Sequence, residues 1–112
     1  MARLTSSILI QSLIRKTHAE GGFATVLHKG DAISGIIMVQ IAHRGGEPSV
    51  YERVPDFSGG YQLLPVAAKY SGNAEELAQY IDRRCKTDPD LWLIELDVAN
   101  AEQLAASLLT DC

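Results

Sequence analysis

The sequence predicts an α+β fold, a two-layer sandwich in which an antiparallel sheet of about four or five strands packs against two or three helices. The first observation behind this prediction is a β-rich block over residues 21–55, where glycines separate three short extended runs. The second is helical periodicity on both sides of this block. The third is a further apolar run, residues 91–97, between two helical segments. The resulting order is α-β-β-β-(β)-α-β-α.

The first helix is predicted over residues 6–20. Thr5 or Ser6 can supply the side-chain oxygen that accepts the free amide hydrogens of its first turn. Apolar side chains then recur on one face of this segment. A glycine pair at 21–22 ends the helix, because glycine enters the left-handed C-terminal conformation most easily.

Three strands follow, at residues 23–28, 35–41 and 49–54. The glycine-containing turns between them predict that these strands pair as consecutive antiparallel neighbours. The middle strand is apolar on both sides, which is typical of a central strand that is covered on both faces or buried in an interface. The third strand alternates and is expected to have one face in water.

The segment 56–72 is the least regular part of the chain, and its run 61–66 suits an edge strand, because Pro65 removes a ladder donor. A second helix begins after Asn73, which can cap it. Its apolar stripe is expected to share one core with Trp92 of the last strand. The stripe consists of Leu77, Tyr80, Ile81 and Cys85. Asn100 can cap a short terminal helix.

Length and composition predict one domain over residues 1–112, with 46% hydrophobic residues and a net charge of −4. An acidic chain is a poor partner for phosphate backbones, so we expect no nucleic acid. The longest apolar run is too short to cross a bilayer, and the start of the chain lacks the apolar region of a signal peptide. We therefore expect a cytoplasmic protein that does not engage membranes. Cys85 and Cys112 are interpreted as reduced thiols.

Four short motifs are distinctive: residues 2–6, residues 21–24, Lys29-Gly30-Asp31 with Gly35, and Asp88-Pro89-Asp90-Leu91-Trp92 followed by Glu95. With these motifs the chain resembles domain of unknown function 1491, an uncharacterised family of alphaproteobacteria. The resemblance covers nearly the whole chain and implies a complete protein with this order of elements. It implies no activity, cofactor or catalytic residue.

No catalytic constellation stands out, and His28, Arg53 and Glu95 are the candidates if the protein is an enzyme. Glu95 shares a strand face with apolar neighbours, an environment in which carboxylates act as general bases. An ordinary salt bridge at a strand end is the alternative, which the sequence favours. The three histidines lack the short paired spacings of a zinc site, so neither a metal nor a cofactor is expected.

The sequence favours a small non-enzymatic binding or regulatory module that self-associates. A homodimer through the sheet is expected because the central strand is apolar on both faces and the helices are too few to cover both. One alternative is a small hydrolase or transferase using His28, Arg53 and Glu95. Another is a double-stranded-RNA-binding-like module, which shares the order α-β-β-β-α but needs basic residues where this chain has Glu75 and Glu76.

Overall fold

The structure is a computed structural model that describes residues 4–43, 45–66 and 72–110. Its helices and strands follow the predicted order, with the optional fourth strand present. They are α1 (Ser6–Ala19), β1 (Phe23–His28), β2 (Ile37–Ile41), β3 (Ser49–Pro55), β4 (Tyr61–Pro65), α2 (Ala74–Thr87), β5 (Trp92–Asp97) and α3 (Ala101–Thr110). The predicted α+β class is confirmed. Residues 67–71, near the C-terminal end of segment 56–72, lie outside the described ranges.

The strands form one sheet in the order β1-β5-β2-β3-β4. The pairs β1–β5, β2–β3 and β3–β4 are antiparallel, whereas β2 and β5 run parallel. The prediction that β1 pairs with β2 is wrong, because β5 lies between them. β5 belongs there because it is buried on both faces: Trp92, Leu93, Ile94 and Leu96 are all at most 5% exposed. Because β5 separates β1 from β2, the first three strands do not form the continuous antiparallel meander of a double-stranded-RNA-binding-like module.

α1 and α3 cover one face of the sheet, called here the α1/α3 face. α1 lies over β1 and β5, and α3 lies over β2 and β4. These two layers enclose the larger core. Its buried members are Leu9, Ile10, Leu13, Ile37, Val39, Ile41, Trp92, Ile94, Leu96, Ala101, Ala105 and Leu109. Two of the three helices therefore pack on this face of the sheet, and α2 adds a third layer that the predicted two-layer sandwich does not contain.

α2 packs against the opposite face, called here the α2 face, around a smaller core. Its buried members are Met38, Val50, Leu77, Leu91 and Leu93. A salt bridge of 2.7 Å between Arg84 of α2 and Glu52 of β3 fixes the helix on the sheet. Both faces of β2 are therefore covered within one chain, and the expectation that the helices are too few to do so is wrong.

Trp92 and the α2 stripe lie in different cores, so the expectation that they share one is also wrong. Side chains alternate along β5, so that Trp92 faces α1 whereas its neighbours Leu91 and Leu93 face α2. The stripe itself is oriented as predicted, because Tyr80, Ile81 and Cys85 pack around the smaller core.

The predicted caps of the first two helices are confirmed. The Thr5 hydroxyl accepts a hydrogen bond from the amide of Ile8, and the Asn73 side chain accepts one from the amide of Glu76. α1 ends where Gly21 adopts φ +84°, a conformation that glycine tolerates best. In the described part of the chain, no helix is long and apolar enough to cross a membrane.

The loop before β2 and the loop before β5 interlock in what we call the glycine junction, formed by residues 29–36 and 88–92. The Trp92 indole donates to the Asp31 carbonyl at 2.7 Å, and the Asp31 amide donates to the Asp90 carbonyl at 3.0 Å. A Cβ atom added at Gly30 or at Gly35 would lie 2.1 Å from the Asp90 carbonyl oxygen. Only glycine allows this approach of two backbones.

The glycine junction also holds the start of α1. The buried Ser6 hydroxyl donates to the Gly35 carbonyl at 2.7 Å, and the Ser6 amide donates to the Ile33 carbonyl. The Asp31 carboxylate accepts hydrogen bonds from the amides of Ser34 and Ile33, which hold the pKa of Asp31 below its usual range. One loop therefore connects the first helix with the two central strands.

Replacing Gly35 with alanine should lower the free energy of unfolding by about 3 kcal/mol or more, because the new methyl group would collide with backbone rather than with a movable side chain. Gly46→Ala is the matched control: its Cβ would lie 3.7 Å from the nearest atom, in ordinary contact, and the change should stay within about 0.5 kcal/mol. Urea unfolding of both variants measures the difference. Equal effects would show that the close approach at Gly35 does not constrain the fold.

Candidate functional site

The structure does not bring the three sequence-predicted candidates together. Arg53 lies on the α1/α3 face, where its Nε donates to the Leu109 carbonyl at 2.8 Å and its guanidinium lies 3.5 Å from the centre of the Tyr61 ring. Glu95 lies on the α2 face and accepts a hydrogen bond from Gln40 at 2.8 Å. Because the sheet separates Arg53 from Glu95, these side chains share no pocket.

His28 has a different environment again. Its Nδ1 lies 2.6 Å from the Leu91 carbonyl oxygen, so Nδ1 carries the proton and donates. This places His28 beside the glycine junction, whereas His43 follows the opposite end of β2. Across the described residues, no three side chains of the metal-binding types cluster.

Cys85 is a free thiol packed beside the smaller core. Burial raises the pKa of Cys85, and the negative charge of Asp82 adds to this effect. A nucleophilic cysteine needs the opposite shift, because the thiolate is the reactive form. The environment therefore suits a packing role. Cys112 lies outside the described ranges.

A cavity of about 360 Å³ opens at the carboxyl ends of β2 and β5, and we call it the strand-end pocket. Parallel neighbours place their carboxyl ends at the same sheet edge, where α/β proteins commonly bind ligands. The pocket is bounded by the end of β2, the start of β3 and the first turn of α3. Its lining residues are Ile41, Ala42, His43, Ser49, Tyr51, Val98, Ala99, Asn100, Ala101, Glu102 and Gln103.

Four polar side chains form a row along the pocket. His43 Nε2 lies 2.9 Å from the Ser49 hydroxyl oxygen. The Tyr51 hydroxyl interacts with the Ser49 hydroxyl on one side and with the Glu102 carboxylate on the other. Strand geometry explains the arrangement, because Ser49 and Tyr51 are two residues apart on β3 and share the α1/α3 face.

An ionised carboxylate can only accept hydrogen bonds, so the Tyr51 hydroxyl donates to Glu102. The bond between His43 and Ser49 has no such fixed direction, because the ring nitrogen of His43 that carries the proton sets whether Nε2 donates or accepts. Burial and the negative charge of Glu102 raise the pKa of Tyr51 above its ordinary value, which keeps this hydroxyl protonated.

The backbone beside the row is strained. Asn100 has φ +56°, an unusual conformation for a residue other than glycine, and it immediately precedes α3. Its carbonyl still accepts the first helical hydrogen bond, from the Leu104 amide. A second hollow of about 300 Å³ adjoins on the other side of Asn100 and is lined partly by Lys16, Glu20 and Ser107.

The sequence did not reveal this site. The alternation along the third strand indicated one water-facing side, but it did not mark Ser49 and Tyr51 as members of a site. The only available signal was that His43 and Asn100 each follow an apolar strand. That signal points to a common site only when the two strands are known to be parallel neighbours, which local turn patterns did not indicate.

Comparison with known proteins places the fold. The family described as protein of unknown function DUF1491 matches residues 4–106. A crystal structure of a DUF1491 family protein from Caulobacter crescentus is similar with a TM-score of 0.78 and 27% identity, covering 91% of this chain and 94% of that chain. An NMR structure of a DUF1491 family protein from the same organism gives a TM-score of 0.76 and 27% identity, covering 93% and 94%.

A solution structure of a protein from A. tumefaciens is also similar, with a TM-score of 0.70 and 28% identity, covering 92% of both chains. Among curated proteins, no sequence matches this chain. The family match spans nearly all of the sequence and agrees with the resemblance carried by its short motifs. The chain therefore belongs to the DUF1491 family, whose function is unknown.

Proposed function

We propose that the protein is a non-enzymatic binding module of the bacterial cytoplasm, and that it holds a small polar ligand in the strand-end pocket. One observation carries this proposal. The pocket unites a row of four polar side chains, His43, Ser49, Tyr51 and Glu102, at the carboxyl ends of two parallel strands. A free thiol at Cys85 supports a reducing compartment.

The size and lining of the pocket support a small ligand. Ligand pockets typically measure roughly 300–1,000 Å³, and this one, at about 360 Å³, lies at the lower end. Apolar contacts from Ile41 and Val98 surround a few polar groups that can orient a bound molecule. The half-buried Tyr51 supplies a hydroxyl that stays protonated at neutral pH.

The closeness of His43 to Ser49 raises the question of nucleophilic catalysis. A catalytic serine donates its proton to the histidine, which is held in turn by a third group. Within the described ranges, no side chain or carbonyl holds the other ring nitrogen of His43. The row therefore suits recognition better than acyl transfer.

Screening the ¹⁵N-labelled protein by NMR with a library of small polar molecules should give ligands whose chemical-shift changes cluster at residues 41–43, 49–51 and 98–103. Ser49→Ala and Tyr51→Phe should each weaken binding by roughly three- to tenfold, since each removes one hydrogen-bonding group. Tyr61→Phe is the matched control, because it deletes a hydroxyl on the neighbouring strand outside the pocket. Shifts clustered elsewhere, or no ligand in the library, would contradict the proposed site.

A fluorophosphonate probe, which labels activated serines, should leave Ser49 unmodified under conditions that fully label a control serine hydrolase. The physical reason is that no described side chain or carbonyl orients the second ring nitrogen of His43, so the triad that activates a serine is incomplete. Mass spectrometry of the intact protein measures the outcome. Stoichiometric labelling that disappears in Ser49→Ala would show that the module is an enzyme.

Tyr51 should also make stability depend on pH in the alkaline range. Its pKa is raised in the folded state, so the folded protein keeps the proton to higher pH than the unfolded chain does. This contribution is complete below the unfolded pKa of about 10 and is lost as pH rises through the higher folded pKa. The difference in unfolding free energy between wild type and Tyr51→Phe should be constant up to about pH 9 and shrink above pH 10. Urea unfolding across this range measures it, and a difference that does not change with pH would exclude the proton linkage.

A further inference from the structure

β1 is an edge strand with little protection against pairing. β5 bonds to one of its sides, and no strand of the described chain bonds to the other. Its sequence, Phe23-Ala-Thr-Val-Leu-His28, contains no proline, lysine or carboxylate, the residues that usually protect edges. The opposite edge, β4, ends in Pro65, which lacks a backbone donor.

The side chains of this edge are apolar and exposed. Phe23 is 71% exposed and Leu27 is 48% exposed. The buried residues that meet α2 belong to β2, β3 and β5 and not to β1, so α2 does not cover this strand. Exposed aromatic and aliphatic groups beside unpaired backbone are typical of a surface that takes up another strand.

We infer that the β1 edge pairs antiparallel with β1 of a second copy of this chain, forming a continuous ten-stranded sheet. The two-fold axis passes beside Thr25, which then faces Thr25 of the second copy. This register places the exposed Phe23 next to Leu27 of the second copy, on both sides of the axis. The pairing with the second copy uses residues 23–27. His28 is left out because it lies beyond the irregularity in the pairing of β1 with β5.

Charge at the two ends of β1 favours a second copy as the occupant. Asp97 lies at the Phe23 end, directly opposite Phe23 on β5. Lys29 follows the other end, and the nearby Asp31 carboxylate is turned into its own loop. Antiparallel pairing brings Lys29 of each copy towards Asp97 of the other. A parallel arrangement would place like charges together.

The size of the contact sets its strength. The five paired residues span about 17 Å, so the paired edges bury less than the roughly 1,200 Å² of a stable specific interface. The expected dimer is therefore weak, with a dissociation constant on the order of 100 µM. This interaction is separate from the strand-end pocket, which involves no residue of β1.

Sedimentation velocity of the wild-type chain from about 5 µM to 1 mM should show a monomer at the lower limit and a dimer at the upper limit. Leu27→Lys should raise the dissociation constant at least tenfold, because it places a charge in the paired edge. Leu64→Lys is the matched control on the opposite edge, where Leu64 is 40% exposed, and it should change the constant less than about twofold. Circular dichroism confirms that both variants fold.

A monomer throughout this range would overturn the inference, as would a dimer that only Leu64→Lys disrupts.

The register has its own test in a chain carrying Cys85→Ser and Cys112→Ser. Thr25→Cys in this background should form a disulfide-linked dimer on mild oxidation, because facing residues of an antiparallel pair lie within disulfide reach. Gln62→Cys on β4 should not, and the reverse result would assign the contact to the other edge.

Discussion

The fold depends on one close approach of two backbone segments, where the Asp90 carbonyl lies against Gly30 and Gly35. This contact sets the starting point of β5 relative to β2, because the loops that lead into both strands are held together there. The Trp92 indole fixes the same loops from the α1/α3 face through its bond to the Asp31 carbonyl. With β5 fixed beside β2, the parallel register follows, and with it the position of the strand-end pocket.

Local patterns in the sequence predicted what local forces determine. The caps at Thr5 and Asn73, the α2 stripe and the edge position of the strand ending in Pro65 each depend on neighbours within a few residues. The pairing of β2 with β5 does not, because some fifty residues separate these strands along the chain. Turn chemistry correctly indicated the β2–β3 hairpin. The same turn-based prediction was wrong for the pairing of β1 with β2, because the loop at residues 29–36 leads past β5 rather than back along β1.

The separation of the candidate residues has the same origin. Glu95 and Arg53 looked like possible partners because both lie on strands, but strand alternation places them on opposite faces once the true order is known. Arg53 instead binds the C-terminal end of α3, where a cation is favourable. The motifs that carry the family resemblance contribute largely to the glycine junction, and none of their residues lines the strand-end pocket. These motifs therefore stabilise the fold and do not contact the pocket.

The central position of β5 has a consequence for how the chain reaches its native state. The N-terminal segments emerge first from the ribosome, yet β1 and β2 cannot join into one sheet until β5 has been made and inserted between them. Until then both strands offer unpaired edges, and much of the apolar surface of β2 stays exposed. Closing a loop of this length before any parallel contact forms is entropically costly, which slows folding relative to a hairpin. The nascent chain thus exposes its unpaired strand edges until β5, its seventh element, has been made.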